Sequence, residues 1–354
     1  LKPRVGLAAS QRGGAPPALR RLGRGPLRGM RFVGRPIDRA AVLGLRKDEK
    51  AVRSVQEGQA ARFLLVSAKR VLASSQEPRG LAWWTRESLL QVHPGADAEA
   101  IYLGPLAAQG GLQAFAIDLG AGAHEKLALP HGASWLTGRE LMLSRASEDD
   151  VTAAGLALAL VGWHETARFH GRDGQPTLPV EGGMKRKAVN GSGKVYPRID
   201  PCAIGLIVSP DGRRTLLGRS PTYPKGFYTC LSGFAEMCES AEEAFRREAF
   251  EEAGIELATV ELVASQPWPI GRSGACELMI GCRAVAASDE FEVNQDELED
   301  ARWFTKAEAQ QLLDHTHPGG LRAPGEYALA HHLIRSWAVD HEAPRGLAAG
   351  GLAP

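Results

Sequence analysis

Residues 233–255 constrain this chain more than any other stretch, because they combine a loop, a helix and a dense set of carboxylates. Ser240 is a candidate N-cap residue, and Glu243 follows three positions later, which is the spacing of a capping box. Gly254 is the type of residue that ends a helix in the left-handed conformation. The sequence therefore predicts a helix between Ser240 and Gly254.

Three glutamates of this helix, Glu248, Glu251 and Glu252, are separated by three and four positions. Side chains at these spacings lie on one helix face, where like charges repel each other. A helix tolerates such a face when a cation lies among the carboxylates, and hard divalent cations prefer oxygen ligands of this kind. The pattern therefore indicates a divalent metal site, and an acidic face covered by solvent is the alternative.

The same stretch resembles the Nudix box, a set of glycine, glutamate and arginine positions at fixed spacings. The positions that match are Gly233, Glu239, Arg247, Glu248, Glu251, Glu252, Gly254 and Ile255. The resemblance implies an α/β fold, namely a Nudix α/β/α sandwich, and catalysis with Mg²⁺ or Mn²⁺. The catalytic residues that it implies are Arg247, Glu248, Glu251 and Glu252. The metal ligands that it implies are Ser232 through its backbone carbonyl, Glu248, Glu251, Glu252 and Glu297.

A second motif, Ser265-Gln266-Pro267-Trp268-Pro269, follows the box. It resembles the array by which the NADH pyrophosphatase branch of Nudix enzymes selects nicotinamide dinucleotides. Trp268 offers an aromatic face to a ring, and Gln266 is a polar group that fixes orientation. The alternative is a proline-rich strand exit with a packed tryptophan, and the chain departs from the array at Ile270 and Gly271. The substrate contacts implied are Tyr196, Ser265, Gln266, Pro267, Trp268, Pro269, Ser273 and Ala330.

Residues 169–197 contain no cysteine, although many members of the same branch carry a zinc ribbon in this stretch. A structural zinc site needs four ligands at close spacing. His170 and Asp173 are candidate ligands, whereas Asn190 and Gly193 cannot complete a zinc tetrahedron. We therefore expect a metal-free linker loop and no structural zinc.

The rest of the chain shows a further α/β domain ahead of the box domain. Strand patterns occur at residues 61–66, 70–73, 80–85, 99–103 and 112–118, and helical patterns at 134–146 and 149–169. This part resembles the smaller N-terminal domain of the NADH pyrophosphatase branch. His331 and His332 are expected on a helix surface. The predicted regions are a basic segment (1–35), an N-terminal domain (36–147), a helix and linker (148–197), the Nudix domain (198–341) and a disordered tail (342–354).

The charge distribution bears on the compartment. Residues 1–37 carry nine basic and no acidic side chains, which is typical of a transit segment for a mitochondrion or chloroplast. A basic tail without a targeting role, in a cytoplasmic protein, is the alternative. No apolar run reaches the roughly 18 residues of a membrane span. The five cysteines lack paired spacing, which indicates free thiols.

Together these resemblances imply a metal-dependent hydrolase that splits the pyrophosphate of NADH, NAD or NADPH by direct attack of water. NAD-capped RNA is a second candidate substrate, and a homodimer is the expected assembly, as is usual in the branch. A hydrolase of ADP-ribose or of another nucleoside diphosphate compound is one alternative. A non-catalytic Nudix binding domain is another, although such a domain should have lost a box glutamate, and this chain keeps all of them.

Overall fold

The structure is a computed structural model, and it describes residues 30–42, 44–74, 80–107, 109–129, 131–191, 193–271 and 276–339. The chain in these ranges forms two larger sheets with a smaller sheet between them in sequence. The predicted tail at 342–354 and most of the predicted basic segment lie outside the described residues. Within the described ranges, no helix is both long enough and apolar enough to cross a bilayer.

The first sheet belongs to the N-terminal half and has the strand order β3-β2-β1-β5-β4, with β6 paired to β2. Strands β1 and β5 run parallel, and the other neighbours are antiparallel. The strands are β1 (Ala61–Ser67), β2 (Arg70–Ser74), β3 (Gly80–Leu81), β4 (Ile101–Pro105), β5 (Gln113–Asp118) and β6 (Ala133–Thr137). The helices are α1 (Glu49–Glu57), α2 (Arg86–Val92), α3 (Ala123–Lys126), α4 (Gly138–Leu143) and α5 (Glu148–Thr166).

Strand β1 shows how this sheet forms a core on each face. Leu64 and Val66 belong to the same buried cluster as the apolar residues of α5. Phe63 and Leu65 point the other way, into a cluster that includes Leu89 of α2, as the period of two in a strand requires. Helix α5 is therefore part of the N-terminal core, whereas the sequence placed it with the linker.

The residues expected to form a linker loop instead form an antiparallel three-stranded sheet, so the prediction of a loop was wrong. The expected absence of structural zinc stays a prediction. Its strands are β7 (Thr177–Val180), β8 (Lys185–Ala188) and β9 (Lys194–Val195). The turn between β7 and β8 places Gly182 and Gly183 at φ of 66° and 83°, which glycine adopts without a steric penalty. His170 and Asp173 do approach each other, with 2.8 Å between Nδ1 and Oδ1.

The second large sheet has the order β13-β14-β10-β11-β15, with β12 paired to β10. Strands β10 and β14 run parallel, and the remaining neighbours are antiparallel. The strands are β10 (Ile199–Val208), β11 (Arg214–Arg219), β12 (Leu231–Phe234), β13 (Leu257–Trp268), β14 (Cys276–Ala286) and β15 (Asp300–Thr305). The helices are α6 (Ala241–Ala253), α7 (Lys306–Leu313) and α8 (Leu329–Ala338).

Strand β10 divides the core of this half into two layers. Ile204 and Leu206 lie in the cluster formed with α7 and α8. Ala203 and Ile207 face the opposite way, toward the buried side of α6. The α/β/α sandwich implied by the resemblance is confirmed.

The segment of residues 30–35, which we call the strap, connects the two halves. Met30 is buried in the cluster of α7 and α8, and Phe32 is buried in the cluster of α5. The predicted boundary between the basic segment and the N-terminal domain, at residue 35, therefore lies too late in the chain, because Met30 and Phe32 are already packed.

Two local predictions were also wrong. The expected helix at 134–146 is a strand, β6, followed by α4, because Thr137 forms a capping box with Glu140 and the residues before it pair with β2. His331 and His332 are buried rather than on the helix surface. Their rings contact backbone carbonyls, Nδ1 of His331 at 2.9 Å from Pro324 and Nε2 of His332 at 2.8 Å from Glu326.

Candidate active site

Helix α6 has the ends that its sequence predicts. Oγ of Ser240 accepts a hydrogen bond from the N–H of Glu243 at 3.2 Å, and the carboxylate of Glu243 accepts one from the N–H of Ser240 at 2.9 Å. Gly254 ends the helix at φ of 58°, and its N–H donates to the carbonyl of Phe250 at 2.7 Å. These caps fix the start and the end of the helix that carries the carboxylates.

Arg247 holds the acidic residues around it. Its guanidinium donates to both carboxylate oxygens of Glu239, at 2.8 and 3.0 Å, in the bidentate geometry that favours strong pairing. Nη1 also donates to Glu248 at 2.9 Å and to Glu251 at 2.7 Å. The hydrogen bonds from Arg247 lower the pKa of Glu239 to about 2. Arg247 therefore contacts three carboxylates at once.

Glu252 differs from the other box glutamates because it is 9% exposed. Its carboxylate accepts a hydrogen bond from the backbone N–H of Ser232 at 3.2 Å. Burial raises the pKa of Glu252 to about 8, and the negative charges of Glu248, Glu297 and Glu251 act in the same direction. Burial also raises the pKa of Glu248, against the opposing effect of the Arg247 hydrogen bond. The four carboxylates are thus close enough to repel one another.

Glu297 reaches this group through a short loop. The N–H of Asn294 donates to the backbone carbonyl of Glu252 at 3.0 Å, and the N–H of Glu297 donates to the carbonyl of Asn294 at 3.1 Å. The side-chain oxygen of Asn294 closes the turn by accepting from the N–H of Asp296 at 3.1 Å. The loop is therefore tied to the carboxyl end of α6, and Glu297 itself is exposed.

The oxygen atoms of these carboxylates have the chemistry that a divalent cation requires, but they are not arranged around a common point as metal ligands are. In the part of the chain that the structure describes, no three His, Cys, Asp or Glu side chains are already placed as metal ligands. The available donors are carboxylate oxygens, which suit a hard cation. A nearby positive charge would also lower the raised pKa of Glu252 and keep its carboxylate ionised.

The array on β13 contains one fully buried polar side chain. Gln266 is 1% exposed. Its amide donates to the backbone carbonyls of Arg31 at 2.9 Å and Tyr327 at 2.8 Å, and its carbonyl accepts from the N–H of Leu329 at 2.8 Å. Both amide hydrogens are therefore used within the protein, so Gln266 fixes the position of neighbouring segments. Ala330 follows Leu329 and is buried in the core beside it.

Trp268 lies at the end of β13, partly buried against the N-terminal core. The ring of Phe32 meets it edge-on, with 6.0 Å between the ring centroids and an angle of 81° between the planes. This is a favourable arrangement for two aromatic rings. The ring of Trp268 stays partly accessible in this arrangement. Trp268 can therefore pack against Phe32 and contact a ring of a ligand at the same time.

The first residue of the box and the first residue of the array lie in one transverse row of the second sheet. The residues that are paired across successive strands are Gly233, Ala203, Ile280 and Ser265. Three strand spacings of about 4.8 Å separate the ends of this row by roughly 14 Å. A substrate with its phosphates at the carboxylates could therefore place a ring at the array only if it is extended.

Tyr196 is an implied contact that lies away from this row, next to a different sheet. Tyr196 follows β9 of the small sheet and is 58% exposed, with Nζ of Lys185 at 5.2 Å from its ring centroid. Ser273 lies outside the described residues. Sequence reasoning assigned no role to Asn294 or to the strap, although asparagine is a residue type that favours turns and was a usable signal.

Comparison with known proteins decides the family. The model of the NUDIX domain matches residues 200–326, and that of the NADH pyrophosphatase-like rudimentary NUDIX domain matches residues 60–163. The human protein named "NAD(P)H pyrophosphatase NUDT13, mitochondrial" is 33% identical over 318 residues, which are 83% of this chain and 88% of that protein. The chain belongs to the Nudix hydrolases, in their NADH pyrophosphatase branch.

Other relatives of this Nudix hydrolase match shorter parts. The "NAD-capped RNA hydrolase NudC" of Mycobacterium bovis is 34% identical over 248 residues, 68% of this chain and 76% of that protein. The human "NAD-capped RNA hydrolase NUDT12" is 39% identical over 203 residues, but these are 55% of this chain and only 43% of that protein. The chain therefore spans less than half the length of NUDT12.

Proposed function

We infer that this Nudix hydrolase cleaves the pyrophosphate bond of nicotinamide dinucleotides and releases a nicotinamide mononucleotide and AMP. The observation that carries the proposal is the row from Gly233 to Ser265 across one sheet. Gly233 lies against the carboxylate of Glu248, and Ser265 is the first residue of the array, on the same strand as Trp268. A dinucleotide has the required parts, a central diphosphate and a ring at some distance from it. The name of the human relative NUDT13 agrees with this substrate class.

The residues of the acidic cluster have separable tasks in this proposal. Glu248, Glu251, Glu252 and Glu297, together with the backbone carbonyl of Ser232, would hold the cation. Such a cation neutralises the diphosphate and lowers the pKa of a water, and Mg²⁺ or Mn²⁺ is the proposed ion. Arg247 keeps Glu248 and Glu251 oriented through its contacts at 2.9 and 2.7 Å. A glutamate of this cluster takes a proton from the attacking water. The oxygen of this water bonds directly to phosphorus as the bridging P–O bond breaks, and the other mononucleotide leaves with its own phosphate group.

The remaining implied contacts act on the rings. Trp268 would stack on a ring of the dinucleotide, with Ser265, Pro267 and Pro269 shaping the strand beside it. Gln266 and Ala330 hold that strand against α8, and Tyr196 and Ser273 are further proposed contacts.

NAD-capped RNA is the second proposed substrate. The relatives NUDT12 and NudC are named for that activity. The cap contains the same diphosphate between the same two nucleosides, so the acidic cluster would act on it by the same chemistry.

A substrate panel tests these proposals. Purified protein is incubated with NADH, NAD, NADPH, ADP-ribose, FAD and NAD-capped RNA, each with Mg²⁺ and with Mn²⁺, and the products are separated by chromatography. We expect the highest kcat/KM for a nicotinamide dinucleotide. A clear preference for ADP-ribose would instead identify a nucleoside diphosphate sugar hydrolase, and binding without turnover of any substrate would identify a binding domain.

Compartment and assembly complete the proposal. Relatives are named as mitochondrial and chloroplastic, and the N-terminal stretch is basic, so we place the protein in an organelle. We also propose a homodimer. Microscopy of a C-terminal fluorescent fusion tests the first point, and sedimentation velocity tests the second, where a monomer at micromolar concentration would contradict it.

A further inference from the structure

The strap is attached to the N-terminal half by its backbone. Consecutive N–H groups of the strap donate to side chains in the first turns of α5. These hydrogen bonds run from Val33 to Glu148 at 3.1 Å, from Gly34 to Thr152 at 3.0 Å and from Arg35 to Asp149 at 2.9 Å. The strap therefore has a defined position relative to α5.

Arg31 attaches the same strap to the array. Its guanidinium donates to the carbonyls of Ser144 and Ala146, both at 3.0 Å, near the carboxyl end of α4. Its own backbone carbonyl accepts a hydrogen bond from the side chain of Gln266, and its N–H donates to the carbonyl of Tyr327 at 3.2 Å. One residue thus connects the N-terminal half, β13 and the segment before α8.

Phe32 adopts a backbone conformation that is uncommon for its residue type. Its φ is +63°, and the side chain is 3% exposed. A residue other than glycine keeps such a conformation only where its surroundings impose it, and such positions are often functional. Here the conformation brings the ring of Phe32 edge-on against Trp268.

Helix α5 leaves space for this contact at a glycine. A Cβ atom on Gly155 would come within 2.7 Å of Cγ of Pro269 and 2.8 Å of Cδ1 of Phe32. The strap and the array therefore pack into the same gap on α5. Gly138 gives similar space to Ile270, because a Cβ there would be 2.4 Å from its Cγ2.

We propose that the strap is a positioning element for substrate selection, in which Phe32 sets the orientation of Trp268 and Arg31 sets that of Gln266. The inference rests on the proposed function, because it specifies how the array reads a dinucleotide. Phe32 and Arg31 are positioning residues and need not touch the substrate. Loss of the strap contacts should weaken ring recognition and leave the acidic cluster unchanged.

The variant Phe32→Leu tests this inference, with Phe63→Leu as a matched control. Phe63 is also a buried phenylalanine of the N-terminal half, but its ring stacks on Phe115. The measurement is the ratio of kcat/KM for NADH to kcat/KM for diribosyl pyrophosphate, which has the diphosphate and no aromatic ring. We expect Phe32→Leu to lower the ratio by about 2- to 10-fold, mainly through KM for NADH, as the loss of one aromatic pair implies. The control should keep the ratio.

A second variant covers the case in which Phe32→Leu does not fold. Arg31→Met keeps an apolar stem but removes the hydrogen bonds to the α4 end, and it should lower the same ratio. An unchanged ratio in the folded variants, with normal wild-type turnover of NADH, would overturn the inference alone. If the wild type does not turn over NADH, the proposed function fails. The binding of NADH is then measured by calorimetry, and the inference predicts weaker binding in both variants than in the wild type. Absence of binding by the wild type would overturn both.

Discussion

The carboxylate of Glu248 fills the space beside Gly233 so closely that a Cβ atom on Gly233 would lie 1.9 Å from Cδ of Glu248. Gly233 is part of β12, and Glu248 is part of α6. The absence of a side chain at Gly233 therefore determines where the carboxylate of Glu248 can lie. This contact gives a steric reason for a glycine at the first position of the box.

Replacement of Gly233 by alanine should displace the carboxylate of Glu248 and lower activity without unfolding the domain. We expect kcat for NADH to fall by at least ~10²-fold, the size of effect seen when one electrostatic group leaves a site. Gly171→Ala is the matched control, because nothing lies within 4 Å of a Cβ at that position. Steady-state kinetics and circular dichroism of both variants provide the measurement. A Gly233→Ala protein with normal kcat would show that Glu248 has no fixed role.

The charge of Glu252 should be essential, because it is the buried member of the acidic cluster. Glu252→Gln keeps the shape of the side chain and removes the charge, and we expect kcat to fall by at least ~10²-fold. Glu251→Gln should act in the same direction. Glu261→Gln, an exposed position on β13, is the control. Turnover of Glu252→Gln near the wild-type value, in a folded protein, would refute its assignment as a metal ligand.

Local sequence rules predicted the box helix well. Its caps depend on residues within a few positions of each other, and the contacts of Arg247 follow largely from spacing along one helix. The alternation of buried side chains between the two faces of β10 was also predictable, because it repeats every two residues. The strands on both sides of the Pro210-Asp211-Gly212 turn were predictable because a short turn connects them.

The failures concern contacts between distant parts of the chain. The strap resembles a disordered basic segment in composition, and it is ordered because partners more than a hundred positions away accept its N–H groups. The three-stranded sheet of β7, β8 and β9, which we call the linker sheet, was missed because its strands are only two to four residues long. The burial of His331 and His332 likewise depends on the segment before α8 and not on helix periodicity.

Trp268 should matter more for substrates with rings than for those without. Trp268→Ala should lower kcat/KM for NADH well beyond its effect on diribosyl pyrophosphate, since one stacked base is worth roughly 1–3 kcal/mol. Trp303→Ala, whose ring packs against Phe291 in the same domain, is the control for loss of a tryptophan. Equal losses on both substrates would assign Trp268 to packing alone.

His164 should make the stability of the protein fall in mild acid. Nη1 of Arg186 donates to Nδ1 of His164 at 2.7 Å, so the proton is on Nε2, which donates to the carbonyl of Gly183 at 2.7 Å. Burial, and the charge of Arg186, lower the pKa of His164 to about 4. The unfolded chain binds this proton near pH 6.5, so the stabilising contribution is complete above that pH and is lost as the pH falls toward 4.

Between pH 7.5 and 5 this group should reduce the free energy of unfolding by about 1–2 kcal/mol. Urea titrations at the two pH values measure the change, and His164→Gln should show a smaller one, because the replaced side chain does not titrate. A pH dependence that is identical in wild type and variant would exclude His164 as its source.

The linker sheet should fold without structural zinc. No cysteine occurs between Phe169 and Tyr196. The segment before β7 instead meets the turn between β8 and β9, where the ring of His170 packs against the backbone of Gly193. A Cβ atom on Gly193 would lie 2.5 Å from Nε2 of that ring, and Nδ1 is held by Asp173.

A structural zinc site contributes folding free energy directly, so a melting experiment can show whether the protein contains one. We expect no stoichiometric zinc by mass spectrometry and an unchanged melting temperature with a zinc-selective chelator, whereas Gly193→Ala should lower the melting temperature. Zinc bound in a one-to-one ratio, or a melting temperature many degrees lower with the chelator, would mean that His170 and Asp173 recruit further ligands. Mg²⁺ must be restored before any activity assay of these samples, because the acidic cluster around Glu248 would need it independently.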